Sequence, residues 1–126
     1  MFLYYMGQID YLIGAIVLIV LDGIYLNIIK QHFIKQINAV QGSNIKVNFT
    51  AAILTYVFLI FGINYFIIRK RLPVTDAMLL GLVIYATYEL TSKALLKNWS
   101  WTTVILDTTW GSILFGLTTA IVYKLT

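Results

Sequence analysis

From residue 47 to residue 68 the chain carries no charged side chain, and the stretch VNFTAAILTYVFLIFGINYFII is apolar almost throughout. As a helix, a run of about 20 apolar residues matches the roughly 30 Å hydrocarbon thickness of a bilayer. Three further stretches have the same length, so the spans are read at 9–29, 47–68, 74–96 and 101–123. Strands of a membrane barrel would alternate apolar and polar residues over about ten positions. Residues 15–21 and 56–63 are apolar at successive positions, which favours helices. Composition agrees: of 126 residues 60% are hydrophobic and only 11% charged, too little charge to cover a small soluble domain. A soluble globular enzyme, a disordered chain and a disulfide scaffold are all excluded, the last because there is no Cys. The expectation is an all-α membrane protein with a single integral membrane domain, 1–126.

Connections between the spans set the architecture. In the long one, residues 30–46, Phe33, Ile34, Ile37 and Val40 recur at helical spacing between Lys30, Gln31, Lys35, Gln36 and Gln41. That pattern predicts a short interfacial helix at the headgroup level, between the first and second spans, with His32 solvated rather than bound to a metal. Gly42, Ser43 and Asn44 then turn the chain back. The connections at 69–73 and 97–100 are tight, and tight connections force antiparallel neighbours. An up-down bundle of four transmembrane helices follows. Arg69, Lys70, Arg71 and Lys124 fall on one side and Lys30, Lys35, Lys46 and Lys97 on the other, a balance from which the positive-inside rule selects no orientation. The flank before the first span lacks Lys and Arg, so that span is not expected to be a cleaved signal peptide. Trp99 and Trp101 read as interfacial anchors, and Arg69, Lys70 and Arg71 as contacts to lipid headgroups.

Ionisable residues inside spans each cost about 2.5–3.5 kcal/mol on insertion scales, which makes Asp22, Glu89 and Asp107 the residues to explain. At 1.5 Å per residue, Asp22 and Glu89 lie about 10 Å, and Asp107 about 9 Å, from span ends that emerge on one face of an up-down bundle. All three are therefore expected at one depth, pointing inward. Tyr85, Tyr88, Glu89, Ser92 and Lys93 share a helical face, as do Asp107, Trp110, Gly111 and Leu114. Asp22 is followed by Tyr25 and Leu26, and Asn48, Thr50 and Thr55 of the second span fall near the same side. Glu89 and Lys93, at i and i+4 in the favourable order, predict an ion pair. Lys93 is read as the counter-charge of the acids, with Tyr88 and Trp110 as walls.

Catalytic signatures are missing: there is no Gly-x-Ser-x-Gly, no His-Glu-x-x-His, no phosphate loop and only one His. No enzyme activity, cofactor or metal is expected. The leading expectation is a buried carboxylate layer that binds or passes a proton, a cation or a small polar solute. The alternatives are a structural membrane protein whose polar layer only sets helix register, or a small subunit of a larger membrane complex. The expected partners are the lipid bilayer and either further copies or other membrane subunits, and not nucleic acid.

The run YATYELTSKALLKNWSWTTVILDTTWG, residues 85–111, resembles the signature of the small membrane proteins catalogued as domain of unknown function, family 2177. There the pattern runs Tyr-x-Thr-Tyr-Asp-x-Thr-Asn, then Leu and Trp, then Asp-x-x-Trp-Gly. Tyr85, Thr87, Tyr88, Thr91, Trp99, Asp107, Trp110 and Gly111 match it. LDGIYL in the first span is similar to the family's Asp-x-x-Trp-Leu, and AAILTYVFLIFGINYFII to its second helix. Glu89 stands in place of the usual Asp, Ser92 in place of Asn, and Tyr25 in place of Trp. The resemblance implies a four-helix integral membrane protein, in a cell membrane or a viral membrane, and implies no activity.

Overall fold

The computed structural model describes residues 2–126, with side chains described from residue 7. Five helices follow one another: α1 (Phe2–Ile28), α2 (Lys30–Gln41), α3 (Phe49–Ile63, prolonged by a π turn, Asn64–Ile68), α4 (Val74–Leu95) and α5 (Trp101–Leu125). No strand occurs among the described residues.

Each boundary has a local cause. Gly42 ends α2 in the left-handed conformation, φ 72°, its N–H donating to the Asn38 carbonyl at 2.8 Å. The Asn48 side chain caps α3 by accepting from the Ala51 N–H at 3.1 Å, which is why that helix begins at Phe49 rather than at 47. Asn64 donates its side-chain amide back to the Ile60 carbonyl at 2.9 Å, and the Arg69 N–H reaches the Asn64 carbonyl, widening the last turn into a π turn. Arg71, at φ 52°, then reverses the chain, and Pro73 directly precedes α4. Asn98, at φ 68°, makes the second tight reversal, and Ser100 caps α5 through the Thr103 N–H at 3.1 Å.

α5 is the central helix, with α4 against one side and α1 against the other, while α3 packs on α1. The closest contact, α4 on α5, depends on glycine. A Cβ on Gly81 would stand 2.9 Å from the Gly111 carbonyl carbon, and one on Gly116 would stand 2.6 Å from Met78 Cγ. Gly111 in turn lies directly under the Tyr85 ring. Leu18, Ile63, Ile68, Leu114, Phe115 and Val122 fill the interior. The long helices alternate in direction. Asp10 near the start of α1 meets Arg71 after α3, and Arg71 meets Thr126 after α5, whereas Asp22 meets Tyr56 and Trp110.

The polarity of this fold is inverted. Ile16, Val20, Ile24, Phe58, Val83 and Ile105 face outward, while Asp22, Asn64, Glu89, Thr103, Asp107, Thr118 and Thr119 are buried. Water would penalise that arrangement on both counts, and a hydrocarbon surrounding removes the penalty. Gly7–Ile28, Phe49–Ile68 and Trp101–Leu125 are long and apolar enough to cross a membrane. α4 matches them in length at 22 residues but carries Asp76, Glu89 and Lys93.

α2 forms as expected, and its polar side packs where the sequence reading placed only solvent. Phe33, Ile34, Ile37 and Val40 are only half-buried, and the buried residue is Gln36. Its amide donates to the Asn98 carbonyl at 2.8 Å and accepts from the Ser100 N–H at 3.0 Å and the Thr103 hydroxyl at 2.6 Å. His32 is likewise engaged rather than solvated, its Nε2 lying 2.7 Å from Thr103 Oγ1. The tight 97–100 reversal leaves backbone groups without helical partners, and α2 supplies them from its polar side.

Candidate functional site

All three acids singled out in the sequence are buried, with Asp22 7%, Glu89 0% and Asp107 9% exposed. Two donors hold Asp22. Trp110 donates its indole N–H to Oδ1 at 2.9 Å, and the Tyr56 hydroxyl makes a short hydrogen bond to Oδ2. Tyr25, one helical turn beyond Asp22, stacks flat on Trp110 with ring centroids 4.5 Å apart and aims its hydroxyl at Asp107 Oδ1, 3.5 Å away. The Tyr25–Trp110 stack therefore joins Asp22 of α1 to Asp107 of α5.

Glu89 comes from α4. Its Oε1 accepts the Trp99 indole N–H at 3.1 Å. Its Oε2 is buried without a donor among the described residues, and the carboxyl group beside it is that of Asp107. Two buried carboxyl groups side by side are satisfied by a proton or a cation between them, because neither anion can donate. Tyr85, half-buried over Gly111, closes the space between α4 and α5.

The expected ion pair does not form. Lys93 turns its ammonium away from Glu89 to the Trp99 carbonyl at 2.6 Å, with the Trp101 ring 5.3 Å off. A four-carbon stem lets the ammonium reach the end of α4, where a carbonyl and an aromatic face receive it at lower desolvation cost. Trp99 thus stands between the two residues, carbonyl to Lys93 and indole to Glu89. It is also 3% exposed, which corrects its reading as an interfacial anchor: the Asn98 reversal folds it inward, where its N–H meets the acid. Trp101, 59% exposed, remains on the outside as an anchor would.

Tyr88 is 60% exposed and lies outside the acid cluster, bordering a shallow outer groove with Thr91 and Ser92. One helical step separates it from Glu89, so the inward turn of Glu89 carries Tyr88 outward. Asn48, Thr50 and Thr55 also stay outside: Asn48 caps α3, Thr50 is exposed, and Thr55 donates to its own helix at the Ala51 carbonyl, 2.9 Å. Tyr56, the next residue, is the α3 contribution that the sequence reading missed. Its signal was available, since a tyrosine inside an otherwise apolar span needs a partner for its hydroxyl when buried. Arg69 and Lys70 are exposed, and Arg71, also exposed, pairs with Asp10 at 3.3 Å. No group of His, Asp and Glu suited to holding a metal ion occurs among the described residues.

Long apolar helices with outward hydrophobes and an inward polar cluster define the class, an all-helical membrane protein. The sequence pattern of the family described as Predicted membrane protein (DUF2177) matches residues 8–124, and the chain belongs to that family. Neither a curated protein nor a solved structure gives a significant match.

Proposed function

We propose that the chain is a multi-pass membrane protein with four spans, α4 included, whose carboxylate cluster binds a proton, a cation or a small polar solute rather than catalysing a reaction. The observation that carries this reading is the Glu89–Asp107 pair: a buried Glu89 Oε2 without a donor, beside a second acid, with the nearest lysine turned away. Trp99 and Tyr25 hold one oxygen of each acid, and the two carboxyl groups face each other, where a shared proton would satisfy both. Inclusion of α4 as a span rests on its outward residues, Leu79, Val83 and Leu90, which are exposed and apolar, whereas its charged Glu89 faces α5. The test is infrared difference spectroscopy of the protein in lipid nanodiscs during pH steps and on addition of Na+, K+ or methylammonium. A change in the carboxyl bands that Glu89→Gln or Asp107→Asn abolishes is expected. Spectra of the parent that respond to none of these additions would refute ligand binding.

A second reading, a structural protein of a cell envelope or virion membrane or a small subunit of a larger complex, is favoured by Asp22. Both of its oxygens are already held by Trp110 and Tyr56, as in a network that only sets helix register. Asp22→Asn separates the two readings. A purely structural role predicts lowered stability and unchanged ligand response, while a binding role predicts that the carboxyl-band changes shift in size or pH range.

A further inference from the structure

A cavity of about 630 Å³ opens between the first half of α1 and the π-turned end of α3, at the opposite end of the helices from Trp99. It shares no residue with the acid cluster and rests only on the membrane placement, so a negative result here leaves the acids untouched. Tyr11, Phe61 and Tyr65 wall it, and Asp10, Arg69 and Arg71 line it where the chain leaves the span. Phe61 precedes Arg69 by eight residues, about 12 Å of helix, so the cavity is apolar below and basic at its mouth.

Arg69, Lys70 and Arg71 read alike in the sequence, and the fold gives each a different setting. Arg71 is engaged: it pairs with Asp10 at 3.3 Å, donates to the Thr126 hydroxyl at 2.8 Å and lies 4.9 Å from the Tyr123 ring. Lys70 is exposed and does not line the cavity. Arg69 stacks its guanidinium on the Tyr65 ring at 4.0 Å, and Tyr65 in turn stacks on Phe61, ring centroids 5.3 Å apart. That aromatic ladder holds the planar fork at the mouth, and no carboxylate among the described residues takes its N–H donors. Two guanidinium groups and one carboxylate line the mouth, which leaves one positive charge unmatched. The carboxylate, Asp10, has Oδ2 on Arg71 and Oδ1 buried, so it is out of reach of a cationic headgroup.

We propose that this cavity binds an anionic phospholipid, with its phosphate on the guanidinium of Arg69 and one acyl chain along Tyr65, Phe61 and Tyr11. The phosphate offers two oxygens to the two N–H groups of the fork. A zwitterionic headgroup places the same phosphate there, but its ammonium then stands near Arg71 and Lys70 with no free carboxylate to meet. An anionic headgroup avoids that repulsion and neutralises the unmatched charge.

The experiment is native mass spectrometry of the full chain released from nanodiscs of equimolar phosphatidylglycerol, phosphatidylcholine and phosphatidylethanolamine with identical acyl chains. Retention of phosphatidylglycerol over each zwitterionic lipid by about fivefold is expected, the scale of one basic side chain acting on one net negative charge at a membrane surface. Arg69→Gln should erase that preference. Lys70→Gln removes the same charge one residue away, outside the cavity, and should keep most of it. Tyr65→Leu changes no charge but removes the platform under Arg69; at a position 41% exposed it should weaken the preference with helicity unchanged. Three results would each overturn the proposal: equal retention of the three lipids or preference for a zwitterionic one by the parent, a Lys70→Gln loss as large as that of Arg69→Gln, or a Tyr65→Leu protein with the parent's preference. The second would reduce the effect to general surface attraction.

Discussion

The two ends of the helices handle charge in opposite ways. At one end Asp10 and Arg71 pair across α1 and the turn after α3, and the same guanidinium also donates to the Thr126 hydroxyl at 2.8 Å. That pair is half in solvent, with the Arg71 side chain 43% exposed. Toward the other end lie three buried acids and one lysine, and among the described residues no ion pair forms between them. Tyrosine and tryptophan hold the acids there instead. The difference follows from desolvation. Near the headgroups an ion pair loses little hydration, whereas deep in the span a bare ammonium and a carboxylate both lose most of it. Neutral N–H and O–H donors satisfy an acid with less to desolvate.

The comparison can be broken at the buried end first. Asp22→Ala leaves the Trp110 indole and the Tyr56 hydroxyl without their acceptor, and a loss of about 3 kcal/mol is expected, two orphaned donors at the usual cost. Thermal unfolding in detergent measures it, and a loss below about 1 kcal/mol would mean that lipid or water takes over the donors. Trp99→Phe keeps the ring but removes the donor to Glu89 Oε1, for an expected loss of about 2 kcal/mol. The same variant should make the carboxyl bands of Glu89 and Asp107 more sensitive to added cations, which infrared spectra in nanodiscs check.

At the exposed end the expectation is much smaller. Arg71→Gln should cost about 0.5 kcal/mol, less at high salt, because a half-exposed pair is screened. A loss above about 2 kcal/mol would show that the Thr126 contact and the stacking on Tyr123, 4.9 Å away, matter more than the charge. The smallest effect is the sharpest test of the contrast. A double-mutant cycle of Glu89→Gln and Lys93→Met should give a coupling below about 0.5 kcal/mol, since Trp99 separates the two side chains. A coupling above about 1 kcal/mol would restore the ion pair that i, i+4 spacing predicts.

Much of the helical layout was legible before any coordinates, because it depends on local quantities. Span length follows from bilayer thickness, and the 3.6-residue period turns Asp22, Glu89 and Asp107 inward. The tight turns at 69–73 and 97–100 follow from the absence of residues to build anything longer. The amphipathic spacing after the first span likewise predicted α2. Partner choice was not legible. Lys93 had Glu89 in range along its own helix, and only the folded turn showed that Trp99 offers its carbonyl at 2.6 Å and takes the acid for itself. Gln36 looked like one polar residue of an interfacial helix until α5 brought Ser100 and Thr103 against it. Tyr56 and Tyr88 were alike as tyrosines within spans, yet one meets Asp22 and the other faces outward. The sequence by itself determined which segments are helical and which helical faces carry the acids, since periodicity acts within one helix. Only the tertiary structure decided which donor meets which acid, because that is a competition between side chains from different helices, won by desolvation and reach.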